Sequence, residues 1–120
     1  MSFTFEDAPA IAPHEFVARL PAGLATSRAL LEALNTQLAL PSYFGFNWNA
    51  LSDCLRDLSW IQESRVVLCH VDVPPLPGAE LRLYLQVLAE AVASWQPGEG
   101  HSLRVIFPEA ARHALEALRG

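Results

Sequence analysis

The sequence predicts an α/β fold: a small three-stranded parallel sheet packed by helices, in the order β-α-α-β-α-β plus a C-terminal helix. Two patterns predict it. Short apolar runs at residues 16–20, 65–71 and 103–107 are rich in Val, Ile and Phe and read as strands. The segments between them carry Leu at helical spacing, and strands separated by helical crossovers imply parallel pairing with right-handed connections. The middle run, Arg-Val-Val-Leu-Cys-His-Val, is apolar almost throughout, as suits a strand covered on both faces.

The elements follow in order. Residues 1–15 hold Pro9 and Pro13 together with Glu6, Asp7 and Glu15, and read as an N-terminal extension that wraps or trails. Within it Phe3-Thr4-Phe5 could add a short edge strand. Residues 16–120 read as a single domain. Its first strand, 16–20, is stopped by Pro21 and Gly23. Thr26 or Ser27 can cap a helix with Leu30, Leu31, Leu34 and Leu38 on one face, ended by Pro41. An aromatic loop, Ser42-Tyr43-Phe44-Gly45-Phe46, leads to a second helix starting near Asn47, with Trp48, Leu51, Leu55 and Leu58 as its core stripe. After the second strand, Pro74, Pro75, Pro77 and Gly78 make a rigid loop. A long helix then places Leu81, Tyr84, Leu85, Leu88, Val92 and Trp95 at helical spacing, broken by residues 96–100. The third strand precedes Pro108 and a closing helix, 108–120, with Ala111, Leu115 and Leu118 inward. Glu109 stands early in it and Arg119 late, as the helix dipole prefers.

Composition narrows the function. The chain has 120 residues, 52% hydrophobic and 18% charged, with a net charge of −5. That is one domain with a sizeable core, not a disordered chain. All its bases are Arg, there is no Lys, and no basic cluster is present to grip a phosphate backbone, so direct nucleic-acid binding is not expected. No apolar run reaches the length of a membrane span, and residues 1–12 lack the features of a signal peptide. The two cysteines, Cys54 and Cys69, form no framework and read as buried thiols in a reducing, cytoplasmic setting.

Catalytic patterns are missing: there is no Walker loop, GxGxxG, GxSxG or HExxH. His14, His70, His101 and His113 show no metal-ligand spacing, and no cofactor is expected. Cys69 and His70 are adjacent on a strand, so they point to opposite faces. Cys54 lies beside Asp53 and Asp57, which oppose thiolate formation.

The outward helix faces are more informative. Opposite the core stripe of the second helix stand Asn49, Asp53, Arg56 and Asp57, with Ser52 on the flank. Opposite that of the long helix stand Leu83, Val87, Glu90 and Ser94, where two apolar residues call for a neighbouring helix or a partner. The aromatic loop feeds the acidic face, and its tyrosine joins a large contact area to a hydroxyl.

Residues 40–55, Leu-Pro-Ser-Tyr-Phe-Gly-Phe-Asn-Trp-Asn-Ala-Leu-Ser-Asp-Cys-Leu, resemble the signature of the barstar family, intracellular inhibitors of small secreted ribonucleases of the barnase type. The predicted order of elements is similar to that fold over about residues 16–107. The resemblance implies a monomeric, non-enzymatic inhibitor whose second helix and preceding loop enter the basic active site of such a ribonuclease. It implies that Tyr43 packs on a catalytic histidine, that Gly45 and Asn47 shape the loop, and that Asp53 is the central carboxylate. Glu90 on the long helix would reach the enzyme's rim. Asn49, Ser52 and Ser94 stand where the family has Asp, Trp and Glu, so three partner-facing positions have lost charge or bulk. This pattern implies a diverged branch whose partner is not barnase itself but a different ribonuclease or a related basic nuclease toxin. The alternative is a non-inhibitory interaction domain that reuses the same surface for a regulatory protein.

Overall fold

The computed structural model describes residues 3–119, with the Arg119 side chain, and hence its expected role in the last helical turn, outside the described residues. The elements are β1 (Thr4–Phe5), β2 (Phe16–Leu20), α1 (Ser27–Leu38), α2 (Trp48–Leu55), β3 (Arg65–His70), α3 (Gly78–Ser94), β4 (Ser102–Phe107), a 3₁₀ turn (Glu109–Ala111) and α4 (Arg112–Arg119).

The sheet corrects the expected strand count. It has four strands in the order β1-β4-β3-β2, all parallel, rather than three. The added strand is β1, at the edge where Phe3-Thr4-Phe5 offered a short strand; it pairs Thr4 with Ile106 and Phe5 with Phe107. Two residues are too few to show a period. What holds them is non-local: Phe3 and Phe5 are buried, with ring centroids 5.4 and 6.4 Å from that of Phe107.

Connection handedness explains how both faces of the sheet are covered. From β2 to β3 to β4 the chain steps the same way across the sheet, so right-handed crossovers put α1, α2 and α3 on one face. From β1, beyond β4, to β2 at the far edge it steps the opposite way. The same handedness sends residues 6–15 over the other face, where Ile11 and Val17 pack on Val67, Cys69 and Ile106. The Glu6 carboxylate also pairs with Arg104 at 3.1 Å. The central strand β3 is thus buried on both sides, as its continuous apolar run predicts.

The helical face holds the main core. Leu30, Leu34 and Leu38 of α1, Leu51 and Leu55 of α2, and Tyr84, Leu85 and Leu88 of α3 close over Val66, Leu68 and Val105. Leu115 of α4 joins the same core at 1% exposure, so the last helix is part of the fold. Two ends differ from the periodic reading. Helix α2 stops at Leu55, and Leu58 is buried from a left-handed turn (φ 55°) instead of a fourth helical position. Trp95 caps α3 in an extended conformation, and its indole N–H donates to Leu55 O at 3.0 Å.

Candidate partner-binding surface

The loop at 41–47 is built from the inside out. Phe44 is buried, and its N–H donates to Pro41 O at 2.9 Å, closing a turn. Phe46 packs on Phe44 with ring centroids 4.9 Å apart. Tyr43, between these anchors and the solvent, is left 71% exposed. The left-handed residue of the loop is Phe46 (φ 53°), not the neighbouring glycine. Gly45 sits close to the capping residue: a Cβ there would stand 3.2 Å from Asn47 Nδ2, a tight contact that would press on the amide.

Asn47 joins loop to helix. Its Oδ1 accepts from Ala50 N at 2.8 Å, capping α2, while its Nδ2 donates to Gly45 O at 3.3 Å. Replacing the cap oxygen leaves an end amide without its partner. Asn47→Ala should therefore lower stability by about 1 kcal/mol. The check is a lower urea midpoint at unchanged m-value.

Helix α2 turns Leu51, Cys54 and Leu55 inward. Asn49, Asp53, Arg56 and Asp57 are exposed, and Ser52 is half-buried. The Asp53 carboxylate is 80% exposed and stands 3.9 Å from Arg56, a weak surface pair that leaves the acid available. Asp57 accepts from the Ser59 hydroxyl at 3.1 Å. The Tyr43 phenol is pushed above its ordinary range by partial desolvation, then by the negative potential of Cys54, Asp57 and Asp53. The loop tyrosine and the acidic helix face therefore share one electrostatic environment. Asp57 belongs to it as much as Asp53, though the family pattern did not single it out. Its sequence signal was its place one turn beyond Asp53 on the outward side.

The Cys54 thiol is raised by burial, then by Asp57 and Asp53, which makes it a poor nucleophile. Burial is also the largest influence on Cys69, raised on balance although Arg19 and Arg104 pull the other way. Cys69 belongs to the sheet face under residues 6–15, whereas His70 bonds to Tyr84 on the helical side, as their adjacency on a strand requires. Among the described residues no group of three or more His, Cys, Asp or Glu could hold a metal ion. Nor is any helix there long and apolar enough to cross a membrane.

Glu90 is carried by α3, not by the loop or α2. It is exposed on α3, accepts from Gln86 Nε2 at 3.1 Å, and lines a groove with Arg82, Ala89 and Leu118. Contacts joining α2 to α3 include Trp48 on Tyr84 (centroids 5.8 Å apart) and the Trp95–Leu55 hydrogen bond. On the same outward stripe Leu83 is 46% exposed, whereas Val87 is half-buried against the core. The Ser94 hydroxyl donates to Ala91 O at 2.7 Å.

Fold and surface together define a small parallel α/β protein that presents a rigid aromatic loop and a carboxylate-bearing helix to solvent. The chain belongs to the barstar family: its residues 16–108 match the family model described as Barstar (barnase inhibitor). The match runs from β2 to just past β4, leaving β1 and α4 outside it. No curated protein matches the chain significantly.

Proposed function

We propose that this protein inhibits a small secreted ribonuclease of the barnase type by occupying its active site. The observation that carries this reading is the exposed Asp53 beside the exposed Tyr43, on a loop and helix locked together by Asn47. A ribonuclease site is a basic cleft with Arg, Lys and His around the scissile phosphate. A carboxylate held where that phosphate sits accepts charge-assisted hydrogen bonds from those groups. Opposed fields also speed the encounter. Tyr43 covers the catalytic histidine and excludes water. Gly45, Asn49 and Ser52 complete the contact, and Glu90 meets the rim. The inhibitor performs no chemistry and needs no cofactor or metal. It acts as a monomer in the cytoplasm of the producing cell, where both thiols stay reduced.

The direct test is titration of the purified protein into an RNA-cleavage assay of a barnase-type ribonuclease. Stoichiometric loss of activity supports the reading, and full activity of a panel of such ribonucleases and related basic nucleases at excess inhibitor sinks it. The uncharged Asn49, Ser52 and Ser94 favour a second reading, an interaction domain for a regulatory protein that is not a nuclease. Affinity capture separates them: a small basic nuclease supports the first, an acid-recognising regulator the second.

A further inference from the structure

The partner-facing loop bends at an unexpected residue. Phe46 adopts φ 53°, a conformation that a bulky side chain rarely takes, while Gly45 beside it does not have a positive φ. Such a conformation persists only where its surroundings over-determine it. The surroundings here include a residue from another helix. The Arg28 guanidinium of α1 lies over the Phe46 ring, 4.6 Å from its centroid. Glu32, one turn on, holds it from behind, with Nε–Oε2 at 3.3 Å. The ring also packs on the buried Phe44. Phe46 thus packs against the core, with Phe44 as an aromatic neighbour, and meets α1 through the Arg28 cation.

The position of Arg28 supplies a second, independent observation. It stands in the first turn of α1, which has no acidic residue in that turn. A cation at a helix N-terminus faces the positive end of the dipole and is unfavourable there. A residue that works against its own helix is expected to be offset by other contacts, and two are present: the exposed ion pair with Glu32, which is worth little, and the Phe46 ring.

We propose that Arg28 is a positioning residue for the partner-binding loop, its guanidinium stacking on Phe46 and so holding the left-handed bend from which Tyr43 is presented. This rests on the inhibitor reading for what the loop binds, but not for how the loop is held. Arginine suits the task because its planar, weakly hydrated head can lie flat on a ring, which an ammonium cannot. Holding the loop in its bound shape lowers the ordering cost of association.

The test uses the full chain with Arg28→Ala, Arg28→Lys, Phe46→Leu and the Arg28→Ala/Phe46→Leu double variant. Amide hydrogen exchange across residues 43–47 of the free protein reads the loop. Titration with a barnase-type ribonuclease reads binding, and the melting temperature controls for the fold. Arg28→Ala should speed exchange at Gly45, Phe46 and Asn47 and weaken binding roughly three- to fivefold. Its melting point should be equal or slightly higher, since a cation leaves the positive end of α1. Arg28→Lys should recover part of the loss. The double variant should be no weaker than the worse single one, because both remove the same contact. Unchanged loop exchange in Arg28→Ala, or additive losses in the double variant, overturns the proposal even if Asp53→Ala still abolishes binding. Wild-type protein that binds no barnase-type ribonuclease overturns the inhibitor reading instead, and the exchange comparison still decides whether Arg28 holds the loop.

Discussion

Replacing Asp53 with Ala is expected to weaken binding to the ribonuclease by roughly 2–4 kcal/mol, about 30- to 1,000-fold, while leaving the fold as stable as before or slightly more so. The first half follows from desolvation. An interfacial carboxylate meeting Arg and His⁺ leaves their charges buried and unpaired when it is truncated, and the barnase–barstar complex is itself a standard example of such charged hot spots, with a central carboxylate that exceeds this range. The second half follows from where Asp53 sits. It is in the last turn of α2, with Asp57 just past the end, and no basic residue lies in that turn. Carboxylates at a helix C-terminus face the negative end of the dipole, at a cost of about 0.3–1 kcal/mol each. The Arg56 partner at 3.9 Å offsets little of that. Calorimetric titration and thermal melting of the same variant separate the two effects. Unchanged affinity would remove Asp53 from the site. A large fall in melting temperature would make it a structural residue.

Acid is expected to cost the protein about 3 kcal/mol of stability between roughly pH 6.5 and pH 4, through one buried histidine. His70 lies between β3 and α3, stacked on Phe107 with ring centroids 3.9 Å apart. Its Nδ1–H donates to Ile106 O at 3.0 Å, which fixes the neutral tautomer, and its Nε2 accepts from the Tyr84 hydroxyl at 2.7 Å. Burial holds the imidazole down to about 4, against a smaller upward pull from the Ile106 carbonyl. The unfolded chain takes up this proton near pH 6.5, but the folded one only near pH 4. Across that window the unfolded state binds more protons. The stabilisation is therefore complete above pH 6.5 and is lost as pH falls towards 4. Urea unfolding of wild type and His70→Gln at pH 7, 6, 5 and 4 is the measurement. The gap between the two should narrow with acid, and parallel curves would clear His70. At neutral pH Tyr84→Phe, which strands a buried ring nitrogen, should cost about 1–3 kcal/mol.

Much of the surface was legible because α2 is amphipathic over a short, regular span. Asn49, Asp53, Arg56 and Asp57 follow from helical geometry as the outward residues, and they are exposed. Gly45 was legible as a special position, but its reason was not. A glycine before a turn suggests a left-handed bend, whereas the bend falls on Phe46 and the glycine sits close to the Asn47 amide. The Phe46 ring meets Arg28, 18 positions away on another helix, and no local pattern reports that contact. Glu90 shares the outward direction of the other acids on paper. Its contacts place it by α4, because a helical wheel gives an angle about one axis and says nothing of where that axis lies.

The strands divide in the same way. Runs of five or six residues announced β2, β3 and β4 by their apolar content, and the continuous apolarity of β3 announced that both its faces are covered. Side-chain periodicity is a local property, so the chain's own order of residues determined the elements, their parallel pairing and the faces each would bury. The two-residue β1 has no period to read, and its partner Phe107 lies about a hundred positions along the chain. Only the tertiary structure decided that residues 3–5 extend the sheet and that residues 6–15 close its second face. The physical reason is that both depend on strand order and crossover handedness, which exist only once distant segments have met.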